Sequence, residues 1–276
     1  MILLEGKKIA DKILENLKKE VRKNNLSLKL VAILVGKNSA SEIFIRQKEK
    51  ACQKVGINFE LIKFSENISF NKLKNEIEKI CKNNLNSGII IQLPLPKKFK
   101  DKEQELLNII PPLKDVDVLS ETNLGKFYTG SLKILPPTVN AVFYLFKKYK
   151  ITLKGKKILI IGSGKLVGFP LSIWLLQKKA TISVINEFTK SISYFTKNAD
   201  IIISGVGKAE LIKGYMIKNE VTIIDIGTSF KNKKIIGDAD IKSVSKKVKF
   251  ITPTPHGVGP LTVACLIENL IELNKK

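Results

Sequence analysis

The sequence has few residues that are suited to cross-links or to metal sites. Its 276 residues include three cysteines and one histidine. Cys52, Cys81 and Cys265 are odd in number, far apart and outside any Cys-x-x-Cys pair, so we expect neither a disulfide nor a bound metal. Cys52 and Cys81 fall in segments of helical periodicity, where a free cysteine usually serves as a small buried apolar residue.

Long apolar runs are also missing. No stretch approaches the roughly 20 consecutive apolar residues that a membrane-spanning helix needs. The chain begins MILLEGKKIADKILENLKKE, with charges where a signal peptide requires an unbroken apolar core. We therefore expect a cytoplasmic protein with no membrane partner.

Arginine is scarce although the formal net charge is +23. Arg22 and Arg46 are the only arginines, and the other basic residues are lysines scattered along the whole chain. Specific nucleic-acid binders usually concentrate their charge and use arginine forks on phosphates and bases. We therefore expect no nucleic-acid partner, while the positive charge still favours small acidic ligands.

The pattern of the remaining residues is typical of an α/β protein with mostly parallel sheets. Short apolar runs alternate with amphipathic segments throughout. A boundary is expected near Pro136 and Pro137, after which a second series of strands and helices begins. We predict two domains with a ligand cleft between them. The first covers residues 1–138, with a C-terminal helix over 260–276 packing back on it, and the second is a Rossmann-type domain over 139–259.

A glycine-rich turn in KKILIIGSGKLVGFP predicts a dinucleotide site in the second domain. Gly162 permits a tight turn, Gly164 lets the backbone approach a pyrophosphate, and Gly168 allows close packing of helix on strand. The helix N-terminus then offers N–H groups to the phosphates. The spacing, G-x-G-x-x-x-G, is one residue longer than the commonest fingerprint, so the prediction depends on the strand–turn–helix setting. Further candidate cofactor-binding residues are Ser163, Gly205, Gly207 and Thr228.

Glu187 follows the next predicted strand, TISVIN, at about the distance where an acidic residue meets the adenosine ribose. A carboxylate there accepts hydrogen bonds from the ribose hydroxyls and repels a 2′-phosphate. From the residues alone, an exposed loop acid is an equally good interpretation.

Four segments together resemble the methylenetetrahydrofolate dehydrogenase/cyclohydrolase family. They are VGKNSASEIFIRQKEKAC, IIIQLPLP with PPLKDVDV, ILIIGSGKLVGFP, and ITPTPHGVGPLTVACLIEN, in the family's order. The resemblance implies a folate-binding catalytic domain followed by a dinucleotide-binding domain. It also implies tetrahydrofolate derivatives as substrates, NADP or NAD as hydride acceptor, and a homodimer joined through the dinucleotide domains.

By the same resemblance, Lys48, Gln92 and Asp117 form the catalytic set. Lys48 matches a catalytic lysine, Gln92 orients it, and Asp117 grips the amino-pyrimidine edge of the pterin. Without the resemblance they are a surface lysine, a strand-capping amide and a solvated turn acid. Further substrate-binding candidates are Ser41, Phe44, Pro255 and Gly259.

The sequence departs from the family at several of these positions. Phe44 replaces a tyrosine, so ring stacking survives without the hydroxyl, and Val118 replaces the glycine after Asp117, so we expect a different backbone there. His256 also replaces a glycine; we expect it to add strain rather than catalysis. Glu187 stands where polar or basic residues usually meet NADP, which favours NAD. An enzyme with impaired cyclohydrolase activity, or a non-catalytic folate and dinucleotide binder, stays an alternative.

Overall fold

The structure is a computed structural model that describes residues 1–231 and 234–275. The chain divides into two compact units. Asp11–Pro137 and Val263–Lys276 form one of them, which we call the three-stranded unit after its sheet. Met1–Ala10 and Thr138–Thr262 form the other, the six-stranded unit.

The secondary structure alternates between strands and helices over most of the chain. The helices are α1 (Gly6–Lys23), α2 (Ser39–Val55), α3 (Phe70–Lys82), α4 (Glu103–Leu107), α5 (Glu121–Thr129), α6 (Pro137–Lys148), α7 (Gly168–Gln177), α8 (Ile192–Asn198), α9 (Ile241–Val244) and α10 (Val258–Leu273). The strands are β1 (Ile2–Leu3), β2 (Lys29–Val35), β3 (Asn58–Phe64), β4 (Gly88–Ile91), β5 (Lys157–Ile161), β6 (Thr181–Ile185), β7 (Ile201–Ser204), β8 (Val221–Asp225), β9 (Ser229–Lys231), β10 (Lys234–Ile236) and β11 (Val248–Ile251).

The three-stranded unit is built on a parallel sheet of order β3-β2-β4. The central strand β2 is a continuous apolar run, as expected for a strand that is covered on both faces, and it is buried from Leu30 to Val35. Leu73 and Ile77 of α3 join side chains of the sheet in one buried cluster. The carboxyl ends of β2 and β4 therefore meet at one edge, where ligands bind in open α/β sheets.

The chain after Pro111 runs beside β4 and extends this edge. Ile89 pairs in parallel with Asp115, and its N–H donates to the Lys114 carbonyl at 2.8 Å. The buried amide of Asn269 on α10 donates to the carbonyls of Val116 and Leu135 at 2.9 and 2.8 Å. The C-terminal helix thus holds the segment that carries Asp117.

The six-stranded unit has the strand order β1-β11-β8-β7-β5-β6, with every neighbouring pair parallel. From β5 the chain moves outward to β6 and then returns to the other side of β5 to form β7. The order reverses between β5 and β7, which is the switch point where doubly wound sheets bind their ligands. The two-domain α/β architecture that the sequence predicts, with a Rossmann-type parallel sheet, is therefore confirmed.

The N-terminus differs from the predicted boundary, which placed residues 1–138 together. Ile2 and Leu3 pair with Phe250 and Ile251 of β11, and Leu4 is fully buried, so Met1–Ala10 belongs to the six-stranded unit. A two-residue edge strand is too short to show periodicity in a sequence, so local patterns do not predict this pairing.

Three expectations from the sequence concern the absence of a disulfide, of a bound metal and of a membrane-spanning helix. The three cysteines are unpaired and buried. Within residues 1–231 and 234–275, no group of three or more His, Cys, Asp or Glu side chains is arranged to hold a metal ion. None of the helices in this described part has both the length and the hydropathy that crossing a membrane requires.

Candidate active site

Helix α2 carries Lys48 on its buried face. The helix begins after Asn38, whose side chain accepts a hydrogen bond from the Ser41 N–H at 2.9 Å, and it ends at Gly56 in a left-handed conformation. Its buried side chains recur at helical spacing and include Ile45, Lys48 and Cys52. The Lys48 residue is only 9% exposed, so the surface-lysine interpretation is wrong.

Gln92 meets Lys48 at the carboxyl end of β4. The Lys48 Nζ donates to the Gln92 Oε1 at 3.0 Å in a buried hydrogen bond. The Gln92 side-chain Nε2 donates to the Leu93 carbonyl at 2.9 Å, and its backbone N–H donates to Ile33 of β2 at 2.9 Å. The amide is therefore fixed from both ends, with its oxygen directed at the lysine.

Burial changes the proton affinity of the lysine and of the nearby aspartate. Removal from water lowers the pKa of Lys48, and the negative charge of Asp117 opposes this by favouring the ammonium form. Burial raises the pKa of the Asp117 carboxyl, and the positive charge of Lys48 opposes that shift. The same burial raises the pKa of the Cys52 thiol to about 12, so Cys52 stays a neutral thiol. Lys48 and Asp117 thus stabilise each other's charged forms.

Asp115 organises the turn that presents Asp117. It is 1% exposed and accepts hydrogen bonds from the backbone N–H groups of Leu119 and Ser120 at 3.1 and 2.9 Å. The Ser120 hydroxyl donates to it at 2.6 Å and the Asn123 amide at 3.2 Å. The sequence analysis does not include Asp115 among the candidate residues; the D-V-D spacing, which puts a second carboxylate two residues from Asp117, is the signal that points to it.

Val118 has a backbone conformation that glycine adopts without strain. Its φ is +59°, in the left-handed region that β-branched residues rarely enter. The buried side chain, 1% exposed, and the Asp115 network around the turn hold the valine in this conformation. A backbone that differs here from that of relatives with glycine stays a prediction.

The proposed substrate-binding residues lie in different parts of the chain. Ser41 is buried in the first turn of α2, and Phe44 is partly buried one turn before Lys48. Pro255 is exposed in the loop after β11, and Gly259 lies in the first turn of α10, both in the six-stranded unit. His256 beside Pro255 is exposed with φ +80°, in agreement with the expected strain.

The glycine-rich turn lies at the switch point of the larger sheet. Gly162 has φ +101°, and a Cβ at Gly168 would lie 1.8 Å from the Gly162 carbonyl oxygen. Helix α7 therefore starts at Gly168, the last glycine of the turn. Ser163 and Gly164 are exposed at its tip.

The loop after β7 packs against this turn. A Cβ at Gly162 would meet the Val206 side chain at 2.7 Å, and one at Gly205 would meet the Val167 side chain at 2.6 Å. The structure thus brings these glycines together at the ends of β5 and β7.

The other candidate cofactor residues lie along the same sheet edge. Gly207 has φ +66°, its carbonyl accepts from the Ser229 hydroxyl at 2.6 Å, and a Cβ on it would lie 3.3 Å from the Thr228 carbonyl oxygen. Glu187 is exposed just beyond β6, the outer strand next to β5. Its geometry fits both interpretations of the sequence.

Comparisons with known proteins match both halves of the chain. Residues 4–117 match the model of the tetrahydrofolate dehydrogenase/cyclohydrolase catalytic domain, and residues 136–276 match that of its NAD(P)-binding domain. The bifunctional protein FolD of Hydrogenobaculum sp. is 41% identical over 278 residues, which cover 100% of this chain and 99% of that protein.

Solved structures of this family also resemble the chain in fold. The bifunctional enzyme FolD of Campylobacter jejuni superposes with a TM-score of 0.92 and 39% identity, covering 99% of this chain and 98% of its own. The Trypanosoma brucei FolD complexed with NADP and an inhibitor has a TM-score of 0.92 and 28% identity, with 99% and 97% coverage. The chain, which contains both the Lys48–Gln92 site and the glycine-rich turn, therefore belongs to the tetrahydrofolate dehydrogenase/cyclohydrolase family.

Proposed function

We propose that the protein oxidises 5,10-methylenetetrahydrofolate to 5,10-methenyltetrahydrofolate and then hydrolyses this product to 10-formyltetrahydrofolate. The observation that carries the proposal is the buried hydrogen bond between Lys48 and Gln92, with the Asp117 carboxylate acting on the same lysine. A chain that only bound folate has no need of a buried amine with a lowered pKa. The bifunctional relatives in this family support both activities.

Lys48 serves the hydrolytic step as a proton carrier. Burial lowers its pKa, so the neutral amine is easier to form than on a surface lysine and can accept a proton from the attacking water. The hydroxyl group adds to the methenyl carbon, and the proton is then passed to N5 as the bond from this carbon to N5 breaks. The hydroxyl group loses its own proton to solvent and becomes the formyl carbonyl. Gln92 keeps the amine in place by accepting its hydrogen bond at 3.0 Å.

Asp117 and Phe44 bind the folate. The Asp117 carboxylate accepts paired N–H donors of the pterin's amino-pyrimidine edge, and its turn is rigid because Asp115 holds it. Phe44 lies one helical turn before Lys48, where its ring stacks on the folate. We assign the folate to the three-stranded unit on these grounds.

Two lysine variants test the hydrolytic assignment. Methenyl and formyl products are followed separately for Lys48→Met and for Lys50→Met, which removes an exposed charge from the same helix. We expect Lys48→Met to lower the hydrolysis rate by about a hundredfold or more and Lys50→Met to leave it unchanged. A Lys48→Met hydrolysis rate close to that of the wild type would overturn the assignment.

The six-stranded unit binds the dinucleotide. The N-terminus of α7 and the turn Gly162–Gly168 offer backbone N–H groups and positive potential to a pyrophosphate. Gly205, Gly207 and Thr228 line the neighbouring loops at the switch point between β5 and β7. Bound there, the dinucleotide would supply the hydride acceptor for oxidation of the one-carbon bridge of the folate.

Within the choice of NADP or NAD, we propose a preference for NAD. Glu187 is exposed at the end of β6, where a carboxylate accepts from ribose hydroxyls and repels a 2′-phosphate. The Trypanosoma brucei relative holds NADP, so the preference is a property of this chain's own residues. Values of kcat/KM for both dinucleotides test it in Glu187→Gln and in Glu15→Gln, which removes an exposed helical carboxylate elsewhere.

We expect the wild type to use NAD more efficiently and Glu187→Gln to shift the ratio toward NADP by about tenfold, as loss of a 1.4 kcal/mol repulsion gives. Glu15→Gln should leave the ratio unchanged. A wild type with a clear preference for NADP would refute the proposal.

We also propose a homodimer that forms through the edge strand β6. An exposed strand edge is a ready surface for pairing with another chain, and Val184 on this strand is 43% exposed. Nearby segments of the same unit expose further large apolar side chains: Leu176, Phe188 and Tyr194. A second copy of the chain covers an apolar patch of this kind without a different partner.

Light scattering across the micromolar range tests the dimer. Val184→Lys places a charge on the edge strand and should give monomers, whereas Leu85→Lys alters a side chain that is 75% exposed in the three-stranded unit and should not. A monomeric wild type, or a Val184→Lys variant that remains dimeric, would exclude this interface.

We further propose that the protein works in the cytoplasm. Its three cysteines are unpaired and buried, as is usual in reducing compartments. Cell fractionation with a specific antibody should recover it with cytosolic markers. Recovery outside the plasma membrane would contradict the proposal.

A further inference from the structure

Two buried carboxylates lie beneath the loops of the dinucleotide site. Asp225 ends β8 and is 3% exposed, and Asp238 follows β10 and is fully buried. Neither forms an ion pair within the described residues, and neither takes part in the proposed chemistry. Buried acidic groups are costly unless they are hydrogen-bonded, so the groups around them indicate what they are for.

Asp238 holds the loop after β7 through its backbone. One carboxylate oxygen, Oδ2, accepts from the Ser204 hydroxyl at 2.7 Å and from the Val206 N–H at 2.9 Å. The other, Oδ1, accepts from the Lys208 N–H at 2.8 Å. One side chain thus bonds to three positions between 204 and 208 and fixes the conformation of the intervening Gly205–Gly207 segment.

The loop that Asp238 holds is in direct contact with the glycine-rich turn. Val206 packs so closely on Gly162 that a Cβ there would lie 2.7 Å from its side chain, and Val167 stands equally close to Gly205. A change in the Val206 backbone therefore displaces the turn that receives the pyrophosphate. The contact transmits the effect of Asp238 without requiring that its carboxylate touch the cofactor.

Asp225 keeps Asp238 in position. Its Oδ1 accepts from the Asp238 N–H and the Gly227 N–H, both at 3.0 Å, and its Oδ2 accepts from the Ala239 N–H at 2.9 Å. Burial raises the pKa of Asp225 to about 7 and the charge of Asp238 raises it too, while these backbone donors lower it. Asp225 therefore ties residues 238 and 239 to the end of β8.

Glycines make room for both carboxylates. A Cβ at Gly227 would lie 2.1 Å from the Asp238 carboxyl carbon, and one at Gly237 would lie 2.1 Å from the Asp225 Oδ2. The two segments DIG and GDAD thus fit together as one unit. Their packing leaves no space for a larger residue at either glycine.

We propose that Asp238 is a positioning residue for the dinucleotide, whose carboxylate holds the Gly205–Lys208 loop and, through it, the Gly162–Gly168 turn in the conformation that binds the cofactor. The inference rests on the proposed function of the six-stranded unit as the dinucleotide site. It adds a residue that acts on cofactor affinity through the backbone.

Asp238→Asn is the sharpest perturbation because it preserves shape. The amide has one acceptor oxygen, so in either orientation its NH₂ group faces a backbone N–H, that of Val206 or of Lys208. Asp240→Asn is the matched control: it removes a carboxylate two residues away that caps α9 and pairs with Lys213, and asparagine caps helices equally well. Ser204→Ala removes only one of the three hydrogen bonds to Asp238. This milder variant keeps the inference testable if Asp238→Asn does not fold.

The test measures the dinucleotide KM and kcat of the dehydrogenase, the dinucleotide Kd, and the hydrolysis of methenyltetrahydrofolate without dinucleotide. We expect Asp238→Asn to raise KM and Kd by about tenfold, the effect of one lost hydrogen bond to a charged group. Its kcat should change by less than about threefold and its hydrolysis rate should be that of the wild type. Ser204→Ala should raise KM by about threefold, and Asp240→Asn should change nothing.

Three results would overturn the inference: wild-type KM and Kd in Asp238→Asn, a loss confined to kcat, or equal losses of both activities, which indicate a structural role alone. The proposed function fails differently. A wild type that neither oxidises the folate nor binds NAD or NADP removes the dinucleotide site itself. If the wild type binds the dinucleotide without turnover, the dinucleotide Kd values of the wild type and of Asp238→Asn still test the role of Asp238.

Discussion

Two glycines of the dinucleotide turn differ in the space around them: Gly168 is closely packed and Gly164 is open. Alanine substitutions at these two positions therefore distinguish an effect on packing from an effect on ligand binding. A Cβ at Gly168 would lie 1.8 Å from the Gly162 carbonyl oxygen and 2.8 Å from its carbonyl carbon. The backbone must move by more than about 1 Å to accommodate it, and overpacking of this kind costs about 1–3 kcal/mol. The better helix propensity of alanine recovers up to about 1 kcal/mol. We expect Gly168→Ala to lower the free energy of unfolding by about 1–2 kcal/mol and to weaken dinucleotide binding.

Gly164 has open space around it. No atom lies within 4 Å of a Cβ built there, and its φ is outside the left-handed region. Alanine should therefore leave stability unchanged or raise it by about 0.4–1 kcal/mol. If a pyrophosphate approaches this backbone, however, the methyl group disturbs a hydrogen bond to a charged ligand and should raise the dinucleotide KM by about tenfold.

Denaturant unfolding, dehydrogenase kinetics and the dinucleotide-independent hydrolysis rate distinguish these effects. Gly164→Ala should raise KM without loss of stability, and its hydrolysis rate should be that of the wild type. A wild-type KM in Gly164→Ala would refute the placement of the pyrophosphate. A Gly168→Ala variant as stable as the wild type would refute the packing argument.

Four further substitutions test the folate site and the strained positions. Because burial lowers the pKa of Lys48 below the ordinary 10.5 and the neutral amine is the active form, the hydrolysis rate should rise with pH through a midpoint below that value. Lys48→Arg, which stays charged, should lack this rise, and a wild-type midpoint at the ordinary value would contradict the assignment. Phe44→Tyr should raise the hydrolysis rate at unchanged stability; a lower rate would show that the hydroxyl is unwelcome here. His256→Gly relieves strain at φ +80° in an exposed residue and should keep full activity with a gain of up to about 0.5 kcal/mol in unfolding free energy, so a sharp loss of activity would give the histidine a role. Val118→Gly also relieves strain but removes a buried side chain, and should lower that free energy by about 1 kcal/mol; increased stability would contradict this balance.

Much of the fold could be predicted from local patterns. The continuous apolar runs of β2, β5 and β7 and the glycine-rich turn after β5 are local signals of buried parallel strands and of a dinucleotide site. The burial of Lys48 was also within reach, because it shares helical spacing with Ile45 and Cys52. The abundance of lysine in the sequence hid this signal, and the resemblance was needed to select it.

What could not be predicted depends on contacts between distant segments. Asp115 and Asp238 look like ordinary turn acids in the sequence, and their partners are backbone N–H groups that no sequence pattern specifies. Asp238 bonds to residues about thirty positions earlier, and the two-residue strand β1 pairs with β11 near the other end of the chain. Such pairings are set by topology rather than by local propensity.

Asp115 and Asp238 are both buried, and each holds a loop at a proposed ligand site by accepting hydrogen bonds from its backbone. Asp115 accepts hydrogen bonds from the N–H groups of Leu119 and Ser120 in the turn that we propose binds the folate. Asp238 accepts those of Val206 and Lys208 in the loop that we propose lies at the dinucleotide site. A carboxylate can accept about four hydrogen bonds from fixed directions, so it orders an irregular loop more completely than a single hydroxyl or amide can. The backbone donors offset the cost of burying the charge without a basic partner. Because neither aspartate forms an ion pair within the described residues, the conformation of both loops depends on backbone donors rather than on the charge of a lysine.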